Sequence, residues 1–223
     1  MNPVAAELLA SGRIRTLAGD ELPLHSHLPL EECLAVQGWI AIAAPHVTLE
    51  VGMGYGISSI FIAEALADRD AAYHIVDPHQ RTTWRGAGIR SLERAGFGGR
   101  YLLHEEPSEV VLPRMFAAAG RLDFALLDGW HSFDQIMMEV YFVNRMMEVG
   151  GVIVLDDLHL GAVGKALAFL STLECFERIG PCREVAASRK VRVRRMVGAP
   201  ELRVAAFRKT AIDDRRWDWH RDF

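Results

Sequence analysis

The sequence predicts an α/β fold in which a mostly parallel β-sheet is covered by helices on both faces. Short apolar runs, such as VTLEV at 47–51 and LDFALLD at 122–128, alternate with segments in which apolar residues recur at helical spacing. Runs that are short and apolar throughout are typical of strands buried on both faces of a parallel sheet. Their regular alternation with helices indicates βαβ units.

The elements follow from these patterns in chain order. Strands are predicted at 47–51, 72–77, 100–105, 122–128 and 152–157. Helices are predicted at 3–10, 31–43, 56–67, 88–96, 108–120, 133–148 and 162–178. The glycine pair 150–151 is expected to end the helix at 133–148. Residues 13–30, with their glycine and prolines, are predicted to form a loop.

The pattern changes after residue 180. Residues 184–197 and 202–209 are predicted to pair as an antiparallel hairpin at the sheet edge, joined by a turn at 198–200, because alternating Arg and Val suits a strand with one wet face. Three parts of the chain are expected: an N-terminal helical and lid segment at 1–44, the main α/β domain at 45–210 and a C-terminal tail at 211–223.

The composition is that of an ordinary globular protein, with 223 residues and a net charge of −4. Cys33, Cys175 and Cys182 are too widely spaced for a metal finger, and their odd number argues against a disulfide framework. The sequence shows neither a signal-peptide pattern nor an apolar stretch of about 18 residues. We therefore expect a cytoplasmic protein without a membrane partner. The basic C-terminal part is interpreted as a solvated face, so nucleic acid is not the expected partner, and a homodimer is expected on base rates.

A glycine-rich loop follows the first long strand and precedes a helix. It reads Glu50-Val-Gly-Met-Gly-Tyr-Gly56, and small residues there let backbone N–H groups approach a ligand closely. The spacing departs from the dinucleotide fingerprint G-x-G-x-x-G, because position 57 is Ile. A tight turn that packs helix on strand is the structural alternative.

This E-x-G-x-G-x-G pattern resembles the first motif of class I S-adenosylmethionine-dependent methyltransferases. The resemblance implies a Rossmann-like fold, with Glu50 near the methionine end of the cofactor and Asp77 on the ribose hydroxyls. Ser108 is expected beside the adenine, although Glu106 replaces the glycine usual two positions before it. The full set of cofactor-binding residues predicted is Glu50, Gly52, Met53, Gly54, Tyr55, Gly56, Ser58, Asp77, Ser108 and Asp128.

Acidic residues end two neighbouring strands of the predicted sheet. Asp128 follows one strand, and Asp156 and Asp157 end the next. Ligands of parallel α/β sheets bind at the carboxyl ends of strands, so three carboxylates are expected to converge there. Because unpaired carboxylates resist joint ionisation, a hard divalent cation, Mg²⁺ by preference, is expected to bind them.

The stretch LLDGWHSFD…GGVIVLDD resembles metal-dependent O-methyltransferases of the catechol, caffeoyl-CoA and macrocin or sugar types. Asp157 stands where the catechol-type enzymes have Asn, and the resulting Asp-Asp pair is closer to the pattern of the macrocin group. His131 stands where the catechol-type enzymes have a catalytic Lys, and we expect it to act as general base on the acceptor hydroxyl. The alternatives are a role as metal ligand or beside a helix cap. O-methylation of a small hydroxylated acceptor is the function that this resemblance implies.

Three other functions stay open from the residues alone: a metal-independent O- or N-methyltransferase, a nicotinamide-dependent oxidoreductase and a non-catalytic cofactor-binding protein. The missing third glycine of the fingerprint argues against the oxidoreductase, and the three acids with His131 argue against a loss of catalysis. Further candidates for the acceptor site or its lid are Trp39, Trp84, Trp130, His159, and the loop residues His25 and His27.

Overall fold

A seven-stranded sheet forms the centre of the protein in a computed structural model, which describes residues 1–197 and 201–223. The strands of the described residues are β1 (Arg13–Arg15), β2 (Glu21–Pro23), β3 (Val47–Val51), β4 (Ala72–Val76), β5 (Leu102–His104), β6 (Leu122–Leu127), β7 (Met147–Leu155), β8 (Phe176–Ile179) and β9 (Ala205–Lys209). The sheet order is β5-β4-β3-β6-β7-β9-β8. The first five strands in this order, β5, β4, β3, β6 and β7, run parallel to one another. β9 runs antiparallel to both of its neighbours, β7 and β8, and β1 pairs with β2 in a separate hairpin.

Helices cover both faces of the sheet. They are α1 (Pro3–Ser11), α2 (Leu30–Ala43), α3 (Ile57–Leu66), α4 (Ala87–Arg94), α5 (Ser108–Ala117), α6 (Phe133–Met146), α7 (Gly161–Thr172), α8 (Arg183–Ala186) and α9 (Arg189–Met196). Successive residues of β6 alternate between the faces: Phe124 and Leu126 pack with α1 to α4, whereas Ala125 and Leu127 pack with α5 to α7. Among the described helices, none is both long and apolar enough to cross a bilayer.

The predicted fold class is confirmed, including the antiparallel hairpin at the C-terminal edge, and the strands of the parallel part lie close to their predicted positions. The segment 13–30, predicted as a loop, holds the β1–β2 hairpin. This hairpin is too short to show a clear period-2 pattern, since each strand has three residues. The division at residues 44 and 210 stays a prediction.

The prediction of a strand at 184–197 is wrong, because this segment forms α8 and α9. Ser188 caps α9 with its side chain, which accepts a hydrogen bond from the backbone N–H of Val191. Arg and Lys are good helix formers, so the same residues suit a short exposed helix. The strand that pairs with β9 is β8, at 176–179, and the predicted turn at 198–200 lies outside the described residues.

The predicted ends of two helices form the beginning of a strand instead. α6 ends at Met146 and the chain passes directly into β7, so the glycine pair 150–151 lies inside the strand. α7 ends at Thr172, and residues 176–178 of the predicted helix belong to β8 instead. In both cases apolar residues of the following strand continue the helical pattern, and periodicity does not separate the two elements.

Candidate active site

The glycine loop packs closely against the end of β6. Gly52 has a φ of +92°, and a Cβ at this position would lie 1.9 Å from the backbone carbonyl oxygen of Asp128. Only glycine fits there, because both the left-handed backbone and the contact with Asp128 exclude a side chain. The predicted cofactor loop and the first acid of the predicted metal site therefore touch each other at the carboxyl edge of the sheet.

Asp77 holds the glycine loop in place from the neighbouring strand. Its Oδ2 accepts hydrogen bonds from the backbone N–H groups of Met53 and Gly54, at 3.1 and 2.9 Å, and from the side chain of Gln80 at 2.8 Å. Its Oδ1 accepts a hydrogen bond from the N–H of His79 at 2.8 Å. Asp77 is nearly fully buried. Asp77 thus orders the backbone of the glycine loop, and its predicted contact with the ribose hydroxyls stays a prediction.

Glu50 lies beneath the loop and is fully buried. Its carboxyl group accepts hydrogen bonds from the hydroxyl groups of Ser58 (2.5 Å), Ser59 (2.7 Å) and Tyr73. Burial raises the pKa of Glu50 to about 7, and the three hydroxyl groups lower it only in part. In this arrangement Glu50 and Ser58, both predicted to bind the cofactor, bind each other and fasten α3 to β3.

The substitution Glu50→Gln is expected to flatten the pH dependence of stability between about pH 4.5 and pH 7. The folded state holds the Glu50 proton more tightly than the unfolded chain, so the contribution of this carboxyl to stability is fully present below pH 4.5 and is lost as the pH rises through 7. The loss amounts to about 3 kcal/mol at most. Urea unfolding of both proteins from pH 4.5 to 8 measures it.

The exposed Glu174 offers the matched control, and Glu174→Gln should leave the slope unchanged. An identical slope for Glu50→Gln and the wild type would contradict the buried, protonated state of Glu50. Some slope remains in any case, since burial also raises the pKa of Glu139 to about 7.

The N-terminal segment closes over the glycine loop through an aromatic cluster. The Nε2 of His25 lies 2.9 Å from the hydroxyl oxygen of Tyr55, and the two rings meet edge to face. Tyr55 also packs edge to face against Trp84, with ring centroids 4.9 Å apart. The predicted lid therefore contacts the predicted cofactor loop.

Two other candidates for the acceptor site or its lid lie outside this cluster. His27 is part-buried, and desolvation lowers the pKa of its ring, while Trp39 belongs to the core.

A buried polar group lies beside Ser108. The Ser108 hydroxyl donates to Oε1 of Glu139 (2.6 Å) and accepts from the amide of Gln135 (2.6 Å). Oε2 of Glu139 is buried and has no hydrogen-bond partner within the described residues. Sequence reasoning missed Glu139, because it lies within the apolar run of a helix, where nothing local marks a functional acid. Gln80, which binds Asp77, was missed because only the loop conformation brings it there.

Asp128, His131 and Asp157 converge at the carboxyl ends of β6 and β7. One ligand atom from each of the three lies within 4.8 Å of the others. The Nε2 of His131 is 3.2 Å from Oδ2 of Asp157 and 3.8 Å from Oδ1 of Asp128. Hydrogen bonding to Asp157 raises the pKa of His131 and lowers that of Asp157. Two carboxylates and one imidazole at these distances are a donor set that fits a divalent cation.

Asp156 lies behind this group. It is nearly buried, its Oδ1 has no hydrogen-bond partner within the described part of the chain, and it does not belong to the group of three ligand atoms. Burial raises the pKa of Asp128 and of Asp156; the charge of Asp156 raises that of Asp128 further, and the charge of Asp157 that of Asp156. Asp157 adopts a φ of +54°, a conformation that is uncommon for residues other than glycine and that often marks functional sites.

A small cleft of about 190 Å³ lies between α2 and α9. Two of its lining residues interact electrostatically with Asp157: the charge of Arg203 lowers the pKa of Asp157, and the charge of Asp157 raises the pKa of Glu32. The Arg203 carbonyl accepts a hydrogen bond from the N–H of Leu158, next to Asp157. His159 reaches the same carboxylate, with its Nδ1 3.5 Å from Oδ1 of Asp157. Trp130 is 70% exposed. The residues that line this cleft thus adjoin the acidic centre without including its three ligand residues, and the exposed ring of Trp130 follows Asp128 closely in the chain.

Comparison with known proteins agrees with this fold. Residues 49–158 match a family model described as a methyltransferase domain. The methyltransferase PaMTH1 of Podospora anserina, solved with S-adenosylhomocysteine, is similar in structure, with a TM-score of 0.68, 15% identity, and 95% and 89% of the two chains covered. The O-methyltransferase TomG of Streptomyces achromogenes, solved with S-adenosylmethionine, gives a TM-score of 0.64, 15% identity, and 83% and 82% coverage.

A putative O-methyltransferase of Klebsiella pneumoniae gives a TM-score of 0.66 and 13% identity, with 95% and 91% of the two chains covered. None of the curated proteins compared with the sequence matches it. The matched segment runs from β3 through the glycine loop to the acids that follow β7, and so contains Asp77, Ser108 and the acidic centre. The chain contains a methyltransferase domain at residues 49–158 and has the fold of these methyltransferases solved with S-adenosylmethionine or S-adenosylhomocysteine.

Proposed function

We propose that this enzyme transfers the methyl group of S-adenosylmethionine to a hydroxyl oxygen of a small acceptor, at a site that binds a divalent cation. The observation that carries the proposal is the meeting of Asp128, His131 and Asp157 at the strand ends, with Asp128 in contact with the glycine loop. The names of similar structures support oxygen as the acceptor atom, because TomG and a Bacillus cereus protein are O-methyltransferases.

The chain's own residues would position the reaction. Asp128 touches both the cofactor loop and the cation centre, so it fixes the distance between the methyl donor and the acceptor oxygen. The segment that follows the β1–β2 hairpin contacts the glycine loop through His25 and would help to keep water from the methyl donor. When bound, the cation would lower the pKa of the acceptor hydroxyl and orient it toward the methyl group.

The structure suggests a refinement of the predicted ligand set. We propose Asp128, Asp157 and His131 as direct ligands, with the buried Asp156 supporting Asp128 from behind. An imidazole in the set suits Mn²⁺ or Co²⁺ better than the Mg²⁺ predicted from carboxylates alone. The role of general base predicted for His131 competes with this, because a nitrogen that binds the cation does not accept a proton.

A metal-independent methyltransferase is the second candidate, and one observation favours it. His131 and Asp157 form an ion pair when His131 is protonated, so the centre partly neutralises its own charge. In that case the neutral form of His131 would bind the acceptor hydroxyl directly and take its proton, and the carboxylate of Asp157 would stabilise the imidazolium that forms.

Calorimetry with Mn²⁺, Mg²⁺ and S-adenosylmethionine tests the proposal. We expect one Mn²⁺ site in the wild type, a loss of Mn²⁺ affinity of at least 100-fold in Asp128→Ala, and wild-type affinity in the control Asp214→Ala, an exposed acid of the tail. Cofactor binding without any cation site in the wild type would overturn metal dependence and leave the second candidate.

The substitution His131→Gln separates the two roles of this residue. If His131 is a ligand, Mn²⁺ affinity falls together with kcat. If it is the base, Mn²⁺ affinity is unchanged, kcat falls about 100-fold, and the limb of the pH–rate profile that reports the base disappears.

A further inference from the structure

A cleft of about 340 Å³ lies away from the acidic centre, between α1, the β1–β2 hairpin and α4. We name it the arginine cleft. Its charged lining consists of Glu7, Arg13, Arg15, Glu21, Arg90 and Arg94, and its apolar wall includes the buried side chains of Leu8 and Ile14. Four arginines against two glutamates leave the cleft with two formal positive charges.

The two glutamates pair with three of the arginines. Glu7 accepts two hydrogen bonds from Arg94, at 2.8 and 3.0 Å, and Glu21 lies 2.7 Å from Arg13 and 3.8 Å from Arg15. Arg90 has no ion pair and no side-chain hydrogen bond to any of the described residues, and its Nε is buried without a partner. A buried N–H on a cationic side chain is costly to leave unpaired. Arg90 therefore lacks a negatively charged partner, although two glutamates line the same cleft.

We propose that the arginine cleft binds a small dianion through Arg90, with Arg15 and Arg13 on the opposite wall. The planar guanidinium fork matches the oxygens of a phosphate or a carboxylate, and the apolar wall leaves room for a short organic substituent. A phosphate monoester and a dicarboxylate share this chemistry, and the experiment below distinguishes them.

The two walls of the cleft belong to parts of the chain that meet at the cofactor site. Arg90 follows the start of α4, where Gly88 packs against the glycine loop. Arg13 and Arg15 lie in the hairpin that leads to His25, whose Nε2 is 2.9 Å from the hydroxyl oxygen of Tyr55 in that loop. A dianion that bridges hairpin and helix holds the lid segment against the loop. Cofactor affinity should therefore rise when the cleft is filled, because binding at two sites is reciprocally linked.

Thermal unfolding and calorimetry with inorganic phosphate and with malonate test the proposal, against sodium chloride at equal ionic strength. At a concentration ten times its Kd, the preferred dianion should raise Tm by about 3 °C. It should also lower the Kd for S-adenosylmethionine about five-fold. A response to phosphate alone identifies a phosphate monoester, and a stronger response to malonate identifies a dicarboxylate.

Two variants and one control locate the effect. Arg90→Leu should abolish the shift in Tm, and Arg15→Ala, which removes an exposed side chain with only a long contact to Glu21, should weaken binding at least ten-fold in a protein that folds normally. Arg121→Leu removes an exposed arginine elsewhere and should respond like the wild type.

Equal shifts in the wild type and in both cleft variants would overturn the site. A Tm shift that depends on Arg90 but leaves the Kd for S-adenosylmethionine unchanged would overturn the linkage to the lid.

Discussion

Replacing Gly52 with Ala is expected to raise the Kd for S-adenosylmethionine at least 100-fold. The new Cβ would lie 1.9 Å from the carbonyl oxygen of Asp128, so the glycine loop or the end of β6 must move. The positive φ of +92° adds a backbone cost of about 1–2 kcal/mol. Calorimetric titration with the cofactor measures the loss, and chemical unfolding measures the fall in stability.

Gly150→Ala is the matched control for this substitution. Gly150 has a similar φ of +97°, but a Cβ there would have no heavy atom within 4 Å. The Gly150→Ala variant should be destabilised by backbone strain alone and should keep the cofactor affinity of the wild type. A Gly52→Ala variant that binds the cofactor within three-fold of the wild type would refute the assignment of this contact to the cofactor site.

Asp77→Ala is expected to show the second large effect, on both stability and cofactor binding. The substitution leaves the N–H groups of Met53, Gly54 and His79 and the Gln80 amide without their acceptor in a nearly buried position. Each buried donor left unpaired costs about 1–3 kcal/mol unless water replaces the acceptor, so we expect a loss of several kcal/mol. We also expect the affinity for the cofactor to fall at least 100-fold, because Asp77 would no longer hold the glycine loop in place.

Asp123 provides the control for Asp77. Its Oδ2 also accepts two backbone hydrogen bonds, from His46 and Val47 at 2.8 and 2.9 Å, but at the opposite end of β3. Asp123→Ala should lose stability without losing affinity for the cofactor beyond that caused by partial unfolding. If both variants bind the cofactor equally well, Asp77 has no part in the site.

The two variants act on the same contact region from different strands. Gly52 joins β3 to β6, and Asp77 joins β4 to the loop that follows β3. The cofactor loop is therefore held from both sides. An enzyme that transfers a methyl group by direct displacement needs such a fixed donor, since small displacements of reacting atoms are costly in rate.

Much of the site could be predicted because its residues are marked locally. A glycine-rich stretch between a strand and a helix, and acids at the ends of apolar runs, are visible in the chain itself. The topology of a parallel sheet then predicts that these strand ends share one edge, and the structure places Asp128 and Asp157 together there. The sequence could not show which of the adjacent Asp156 and Asp157 reaches Asp128 and His131, because that depends on the backbone conformation, with a φ of +54° at Asp157.

The C-terminal part shows where local patterns were insufficient. Alternating Arg and Val at 189–195 suited an exposed strand, but the segment is helical and β8 occupies the edge instead. β9 lies between β7 and β8, a position that depends on pairing with a strand about 50 residues earlier in the chain. Short charged segments carry little burial energy of their own, so tertiary packing decides their conformation.

The sequence by itself determined the α/β class, the parallel strands, the glycine loop and the residues that end the strands. These depend on the period of apolar residues and on turn chemistry, which act over a few neighbouring positions. Only the tertiary structure decided that Glu50 is enclosed by Ser58, Ser59 and Tyr73, that His25 reaches Tyr55, and that Arg90 has no partner among the described residues. Such contacts join distant parts of the chain, and their geometry depends on how whole elements pack, which local propensity does not encode.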